Sequence, residues 1–298
     1  MNKRKVIVGS RESKLAVIQS YIVMEQIRQH HPELELELVT MKTTGDIILD
    51  KNLDKIGGKG LFVKELDKAL YDGAIDISVH SLKDMPAEIP LDLPVAALSR
   101  REDPRDVMVL PINKASTGNI EGDKPVGCSS ARRTIQLLEL FPKLTIKSVR
   151  GNVLTRLRKL DDGEYGALLL AYAGLKRLSL GERADRMFSV EEMIPSAGQG
   201  ILAVQGRAGE DLSFLDCVDD RDSRDASKAE RSFIKVLDGG CSSPSAAYAE
   251  LKGNELRLTG LYVDTGTGRK SRGSMSGDRS RAEELGCDLA MRLLAEVR

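Results

Sequence analysis

Short apolar segments, each followed by a polar turn and an amphipathic helix, recur along this chain. The segment 6–9 predicts a strand, and apolar positions spaced three and four apart predict a helix over 13–30. A second series begins near Asp106 and includes a predicted helix at 131–140 and a predicted strand at 167–171. Alternation of strands and helices is typical of α/β lobes, because each helix packs its apolar face on the sheet.

The pattern changes after residue 220. The predicted elements there are helices at 226–237 and 281–294 and strands at 248–251, 256–263 and 270–275. A Gly253-Asn254 pair between the first two strands is typical of a hairpin turn. We therefore expect a separate small α+β domain at the C-terminus. A chain of 298 residues, 41% of them hydrophobic, is long enough for two or three packed domains.

The overall charge excludes some function classes. The chain has 45 Lys and Arg against 45 Asp and Glu, so no global field attracts it to nucleic acid or to a membrane. No apolar export segment follows the basic start, so we expect the chain to be cytoplasmic. We also expect the chain to be a monomer. The four cysteines show no C-x-x-C spacing, so we expect no metal cluster.

Cys241 lies in an unusual setting for a structural cysteine. Gly239 and Gly240 precede it without side chains to cover the sulfur, and Pro244 stiffens the exit. This turn is typical of a presented thiol, which can be a nucleophile, a redox switch, a metal ligand or a covalent anchor. His80 is the one plausible partner for a Cys–His pair, although its neighbours also fit a simple position at the end of a strand.

Three predicted strand-to-helix junctions carry hydroxyl or cationic side chains. The residues are Arg11, Ser13, Ser129, Arg132, Arg133, Arg150 and, one helical turn further on, Arg156. Helix N-termini offer free N–H groups, and guanidinium groups match carboxylates or phosphates. In an α/β sheet these junctions gather at the carboxyl edge of the strands, where ligands bind. With Lys55, Lys59 and Lys83 they predict a cationic cleft for an anionic ligand. The alternative is that Ser129 and Asn152 only cap helices and that the arginines are solvated.

One acid, Asp84, is predicted at a strand end beside these cations. A carboxylate among cations stays ionised, which suits it to stabilising a positive intermediate or to passing a proton. The alternative for the Lys83-Asp84 pair is an ordinary surface turn.

Several longer motifs occur together along the chain. They are GSRESKLA at 9–16, GGKGLF at 57–62, HSLKD at 80–84, RGN at 150–152, QG at 199–200 and GGC at 239–241. Through these motifs the chain closely resembles, nearly end to end, the hydroxymethylbilane synthases, or porphobilinogen deaminases, of tetrapyrrole biosynthesis. The resemblance implies two α/β lobes like those of periplasmic anion-binding proteins and a third, cysteine-bearing α+β domain. The expected domains are 1–98 with 197–217, 99–196, and 218–298.

The resemblance also implies a cofactor and a reaction. A dipyrromethane is expected on Cys241 through a thioether, in contact with Lys83, Asp84, Ser129, Arg132 and Arg133. Four porphobilinogen molecules would be condensed head to tail with loss of ammonia, while Asp84 stabilises the cationic azafulvene, and water would then release hydroxymethylbilane. The substrate carboxylates would be bound by Arg11, Ser13, Arg150 and Arg156, with Lys55 and Lys59 on a mobile cover.

One departure from the family pattern lies beside the expected site. Cys128 stands where relatives usually have threonine, which places a second thiol there and predicts sensitivity to oxidation. The competing hypothesis is a non-enzymatic, two-lobed anion-binding protein in which Cys241 is incidental. A thiol enzyme with a Cys241–His80 pair is the third possibility, and it predicts inactivation by alkylation.

Overall fold

The computed structural model describes residues 4–43, 63–112, 124–237 and 244–297. The chain divides into two compact units, one formed by Met1–Glu102 with Gly200–Asp225 and the other by Asp103–Gln199 with Ala226–Arg298. The expected division into three domains stays a prediction. Cys241, Lys55 and Lys59 lie outside the described residues.

The first unit contains a five-stranded mixed sheet. Its strands are β1 (Arg4–Arg11), β2 (Leu34–Met41), β3 (Ile77–Ser81), β4 (Val95–Leu98) and β10 (Leu202–Gly206), in the order β2-β1-β3-β10-β4. Strands β1, β2 and β3 are parallel, whereas β10 runs antiparallel to both of its neighbours. The helices are α1 (Lys14–His30) and α2 (Lys64–Tyr71).

Apolar side chains of the strands and of α1 form the core of this sheet. Val6 and Val8 of β1 are buried in the same cluster as Val23 and Ile27 of α1. Alternate residues of a strand point to the same face, so this spacing directs one face of β1 toward the helix. The packing fixes where β1 ends and α1 begins, and so positions the turn between them.

The second unit contains another five-stranded mixed sheet. Its strands are β5 (Asp106–Val109), β6 (Val126–Gly127), β7 (Ile146–Lys147), β8 (Ala167–Ala171) and β9 (Arg186–Met187), in the order β7-β6-β8-β5-β9. The helices are α3 (Ala131–Leu140), α4 (Val153–Asp161) and α5 (Tyr172–Arg177). Strand β6 is parallel to β7 and β8, and β5 is antiparallel to β8 and β9.

The C-terminal part is a three-stranded antiparallel sheet packed on helices. It consists of α6 (Arg221–Val236), β11 (Ala246–Lys252), β12 (Glu255–Val263), β13 (Lys270–Asp278) and α7 (Ala282–Val297), with strand order β11-β12-β13. Phe233, Leu258 and Leu289 are fully buried in its core. The predicted fold class, two α/β lobes and a small α+β part, is confirmed. Within the described ranges, no helix combines the length and the apolar character needed to cross a membrane.

Candidate active site

Three predicted site residues lie at the carboxyl edge of the first sheet. Arg11 is the last residue of β1, and Lys83 and Asp84 lie in a 3-10 turn, Leu82–Asp84, directly after β3. Since β1 and β3 are parallel neighbours, the structure brings the ends of both strands to one edge. All three side chains are half-buried, so their charged groups are partly shielded from solvent.

Ser13 begins the helix that follows β1. Its Oγ accepts a hydrogen bond from the N–H of Ala16 at 3.3 Å, which makes Ser13 the N-cap of α1. Further along α1, the Gln19 side chain donates to Oγ of Ser81 at 3.0 Å. Gln19 is almost completely buried, and it was not among the residues predicted for the site. These bonds fix α1 against the end of β3, immediately before Lys83 and Asp84.

His80 is a buried residue of β3. Its Nε2 lies 2.8 Å from Oγ of Ser78. Burial and the nearby charge of Arg11 lower the pKa of His80 to about 4, against an opposing effect of the Gln205 side chain. His80 is therefore neutral at neutral pH. Because Cys241 lies outside the described residues, a pair between the two stays a prediction.

Ser129 connects two strand ends at the carboxyl edge of the second sheet. Its Oγ donates to the carbonyl oxygen of Val149 at 2.7 Å and accepts from the N–H of Val149 at 2.9 Å. The N-cap of α3 is the next residue, Ser130, so the alternative that Ser129 caps this helix is wrong. Asn152 does cap α4, where its Oδ1 accepts from the N–H of Thr155 at 2.9 Å.

Arg132 and Arg133, in the first turn of α3, both bind Asp106 at the start of β5. Arg132 Nη1 lies 2.6 Å from one carboxylate oxygen, and Arg133 Nε lies 2.9 Å from the other. Asp106 is completely buried, and the two arginines are 3% and 8% exposed. Burial alone would raise the pKa of Asp106, but the two guanidinium charges hold it well below its ordinary value. Two cations on one carboxylate leave one positive charge in excess.

The Gln199 side chain completes this buried network. Its Nε2 donates to the carbonyl oxygen of Pro104 at 2.6 Å and to Asp106 at 2.9 Å, and its Oε1 accepts from Arg133 at 3.4 Å. Gln199 was predicted only as part of a motif, and Asp106 was not predicted as a site residue. The sequence signal for the Asp106 pairing was weak, because Asp106 lies 26 and 27 residues before its arginine partners.

Arg150 and Arg156 lie around the turn from β7 into α4. The turn passes through Gly151 at a φ of +107°, a conformation that favours glycine, and its carbonyl oxygen accepts from Arg156 Nε at 2.7 Å. Both arginines are half-buried. Ser129, Arg150 and Arg156 thus lie near the carboxyl edge of the second sheet.

Comparisons with known proteins identify the family. The family described as "Porphobilinogen deaminase, dipyromethane cofactor binding domain" matches residues 6–214, and "Porphobilinogen deaminase, C-terminal domain" matches residues 225–295. The chain belongs to the porphobilinogen deaminase family. A relative named porphobilinogen deaminase from Acetivibrio thermocellus is 59% identical, covering 97% of this chain and 98% of that protein. A relative of the same name from Alkaliphilus oremlandii is 57% identical, covering 98% of this chain and 97% of that protein.

The described residues fit the dipyrromethane cofactor of this family. Each pyrrole ring carries carboxylates, which need cationic or N–H donors, and ring N–H groups, which need an acceptor. In the second unit the Asp106 network has an excess positive charge, and Arg132 Nε is buried without a hydrogen-bond partner among the described residues. In the first unit Asp84 supplies a carboxylate acceptor beside Lys83. The roles of the individual residues toward the cofactor stay predictions.

Proposed function

We propose that this chain condenses four porphobilinogen molecules head to tail with loss of ammonia and releases hydroxymethylbilane by hydrolysis, as a transferase of the cytoplasm. The observation that carries the proposal is the placement of the charged residues. Arg11, Lys83 and Asp84 share the carboxyl edge of one sheet, and Arg150 and Arg156 lie at that edge of the other. A substrate with several carboxylates needs cationic partners, and a cationic intermediate needs a carboxylate.

Asp84 is the proposed catalytic residue. When bound through Cys241, the dipyrromethane supplies the pyrrole carbon to which substrate units are joined. The Asp84 carboxylate, half-buried beside Lys83, accepts a hydrogen bond from a pyrrole N–H and stabilises the positive charge that develops as ammonia leaves. A fixed carboxylate in a partly shielded site has a larger effect than one in water, because the local dielectric constant is lower.

The cations bind the carboxylates of the cofactor and of the substrate. Arg11, Arg150 and Arg156 present half-buried guanidinium groups, which form paired hydrogen bonds with a carboxylate. Arg132 and Arg133 already bind Asp106, so they act on a cofactor carboxylate through their excess charge and their remaining N–H groups. Ser129 connects the ends of β6 and β7 through its two hydrogen bonds with Val149.

The intact mass of the purified, denatured chain tests this proposal. A thioether survives denaturation, so we expect an excess mass of two deaminated porphobilinogen units on the natural chain and none on Cys241→Ser. Cys128→Ser is the matched control, because this buried thiol is not the expected anchor and its variant should keep the adduct. A bare natural chain that porphobilinogen does not convert would favour the non-enzymatic anion-binding protein instead.

A further inference from the structure

Glu230 of α6 is a completely buried acid with two backbone partners. Its Oε2 accepts a hydrogen bond from the N–H of Gly198 at 2.7 Å, and its Oε1 accepts from the N–H of Ala249 at 2.8 Å. Burying a carboxylate is unfavourable unless its oxygens are hydrogen-bonded. Both oxygens of Glu230 are satisfied, and by two segments that are distant in sequence.

The bond to Ala249 uses the free edge of the C-terminal sheet. Ala249 lies in β11, which is an outer strand of the β11-β12-β13 sheet. The N–H groups on the outer side of an edge strand have no partner strand. Glu230 accepts one of them, which fixes α6 along this edge.

The bond to Gly198 leads to the buried arginine network. Gly198 precedes Gln199, whose own N–H donates to the carbonyl oxygen of Ser196 at 2.9 Å in a tight turn. The Gln199 side chain binds Asp106 and Arg133. A continuous series of hydrogen bonds and one peptide bond therefore connects Glu230 with the first turn of α3.

We propose that Glu230 is a positioning residue, which fixes Gln199 and through it the Asp106–Arg133 pair relative to α6. Helix α6 ends at Val236, and Cys241 follows shortly after it in the sequence. One carboxylate thus fixes both the helix that leads to the cofactor anchor and the cations that are expected to bind the cofactor. The expected effect on turnover rests on the proposed function. The anchoring of Gly198 and Ala249 by Glu230 does not depend on that function.

Amide hydrogen exchange of the full-length chain tests the structural part. In Glu230→Gln, one carboxylate oxygen becomes an NH2 group, which faces a backbone N–H donor and cannot accept its hydrogen bond. We expect exchange to be at least about tenfold faster at Gly198 or Ala249 and in the adjacent turn, as for the loss of a charge-assisted hydrogen bond. Glu250→Gln is the matched control, because Glu250 is exposed and adjacent to Ala249 in the same strand. Equal exchange in the two variants would overturn the inference.

Kinetics of the cofactor-loaded chains test the positioning role. We expect Glu230→Gln to lower turnover by about tenfold per loaded chain, and we expect Glu250→Gln to leave turnover unchanged. If Glu230 acts through Gln199, the double variant Glu230→Gln, Gln199→Leu should lose no more activity than Gln199→Leu alone. Additive losses would show that Glu230 does not act through Gln199, and faster exchange with unchanged turnover would show a purely structural role. Absence of turnover in the natural chain would refute the proposed function, while the exchange measurement would still decide whether Glu230 anchors Gly198.

Discussion

Among single residues, Asp84 is expected to have the largest effect on turnover. Asp84→Asn keeps the size of the side chain but removes the negative charge that would stabilise a cationic intermediate. We expect kcat to fall about a hundredfold or more, as for the loss of a fixed electrostatic group in other enzymes. Steady-state formation of hydroxymethylbilane measures the effect. Asp72→Asn, at the exposed C-terminal end of α2, is the control, and near-normal turnover in Asp84→Asn would exclude the proposed role.

His80 predicts a pH dependence of stability. Its pKa is about 4 in the folded chain and near 6.5 when unfolded. As the pH falls from 6.5 to 4, the unfolded state binds a proton that the folded state does not, so the free energy of unfolding falls. Across this window the loss should reach about 3 kcal/mol. Urea unfolding at several pH values measures it, and His80→Gln should remove this part of the slope while other groups titrate equally in both chains.

At the scale of elements, Asp106 joins β5 to α3. Asp106→Asn leaves two buried guanidinium groups without a carboxylate, and we expect a loss of about 3–5 kcal/mol in the free energy of unfolding. Asp103→Asn is the control, because Asp103 pairs with the part-exposed Arg105 and its loss should cost about 1 kcal/mol or less. Equal losses in urea unfolding would show that the buried network contributes no special stability.

The elements that were predicted correctly are those whose sequence signal lies within the segment itself. The predicted bounds of α3 and β8 agree with the structure, because helical spacing or a continuous apolar run is visible within the segment itself. Strands β4 and β10 were not predicted. Each is short, and β10 is stabilised by pairing with β3 and β4 rather than by a pattern of its own.

Part of the candidate site was predictable, because its signals are also local in the sequence. The strand-to-helix junctions were visible in the sequence, and Arg11, Lys83 and Asp84 do lie at one sheet edge. The partner of Arg132 and Arg133 was not visible, because ion pairing between α3 and β5 depends on how the sheet is assembled. Both arginines were therefore predicted as cleft residues, without the buried carboxylate that they bind.

At the scale of the whole molecule, the C-terminal sheet packs on the second α/β lobe. Ile194 lies in one buried apolar cluster with Leu261 and Val263 of β12. Arg272 of β13 adds polar contacts, because it donates to the Gln136 side chain of α3 at 3.2 Å. These contacts fix the α+β part to the lobe that carries the arginine network.

Leu261→Ala should weaken this attachment. We expect a cost of about 2–5 kcal/mol and a separate, earlier calorimetric transition for the C-terminal part, because the cavity opens at its contact with the lobe. Leu289→Ala is the control, since Leu289 lies in the C-terminal part's own core and its loss leaves the contact intact. A single unchanged transition in Leu261→Ala would show that the cluster does not couple the two parts.

Strand β10 has a consequence for how the chain folds during its synthesis. The ribosome releases β3 and β4 long before β10, which pairs with both of them. All strands of the second five-stranded sheet emerge in between, so that sheet can close while the first still has two open strand edges. Unpaired edges invite pairing with other chains. The N-terminal lobe therefore completes its sheet after the second lobe, and until then its open strand edges are exposed to pairing with other chains.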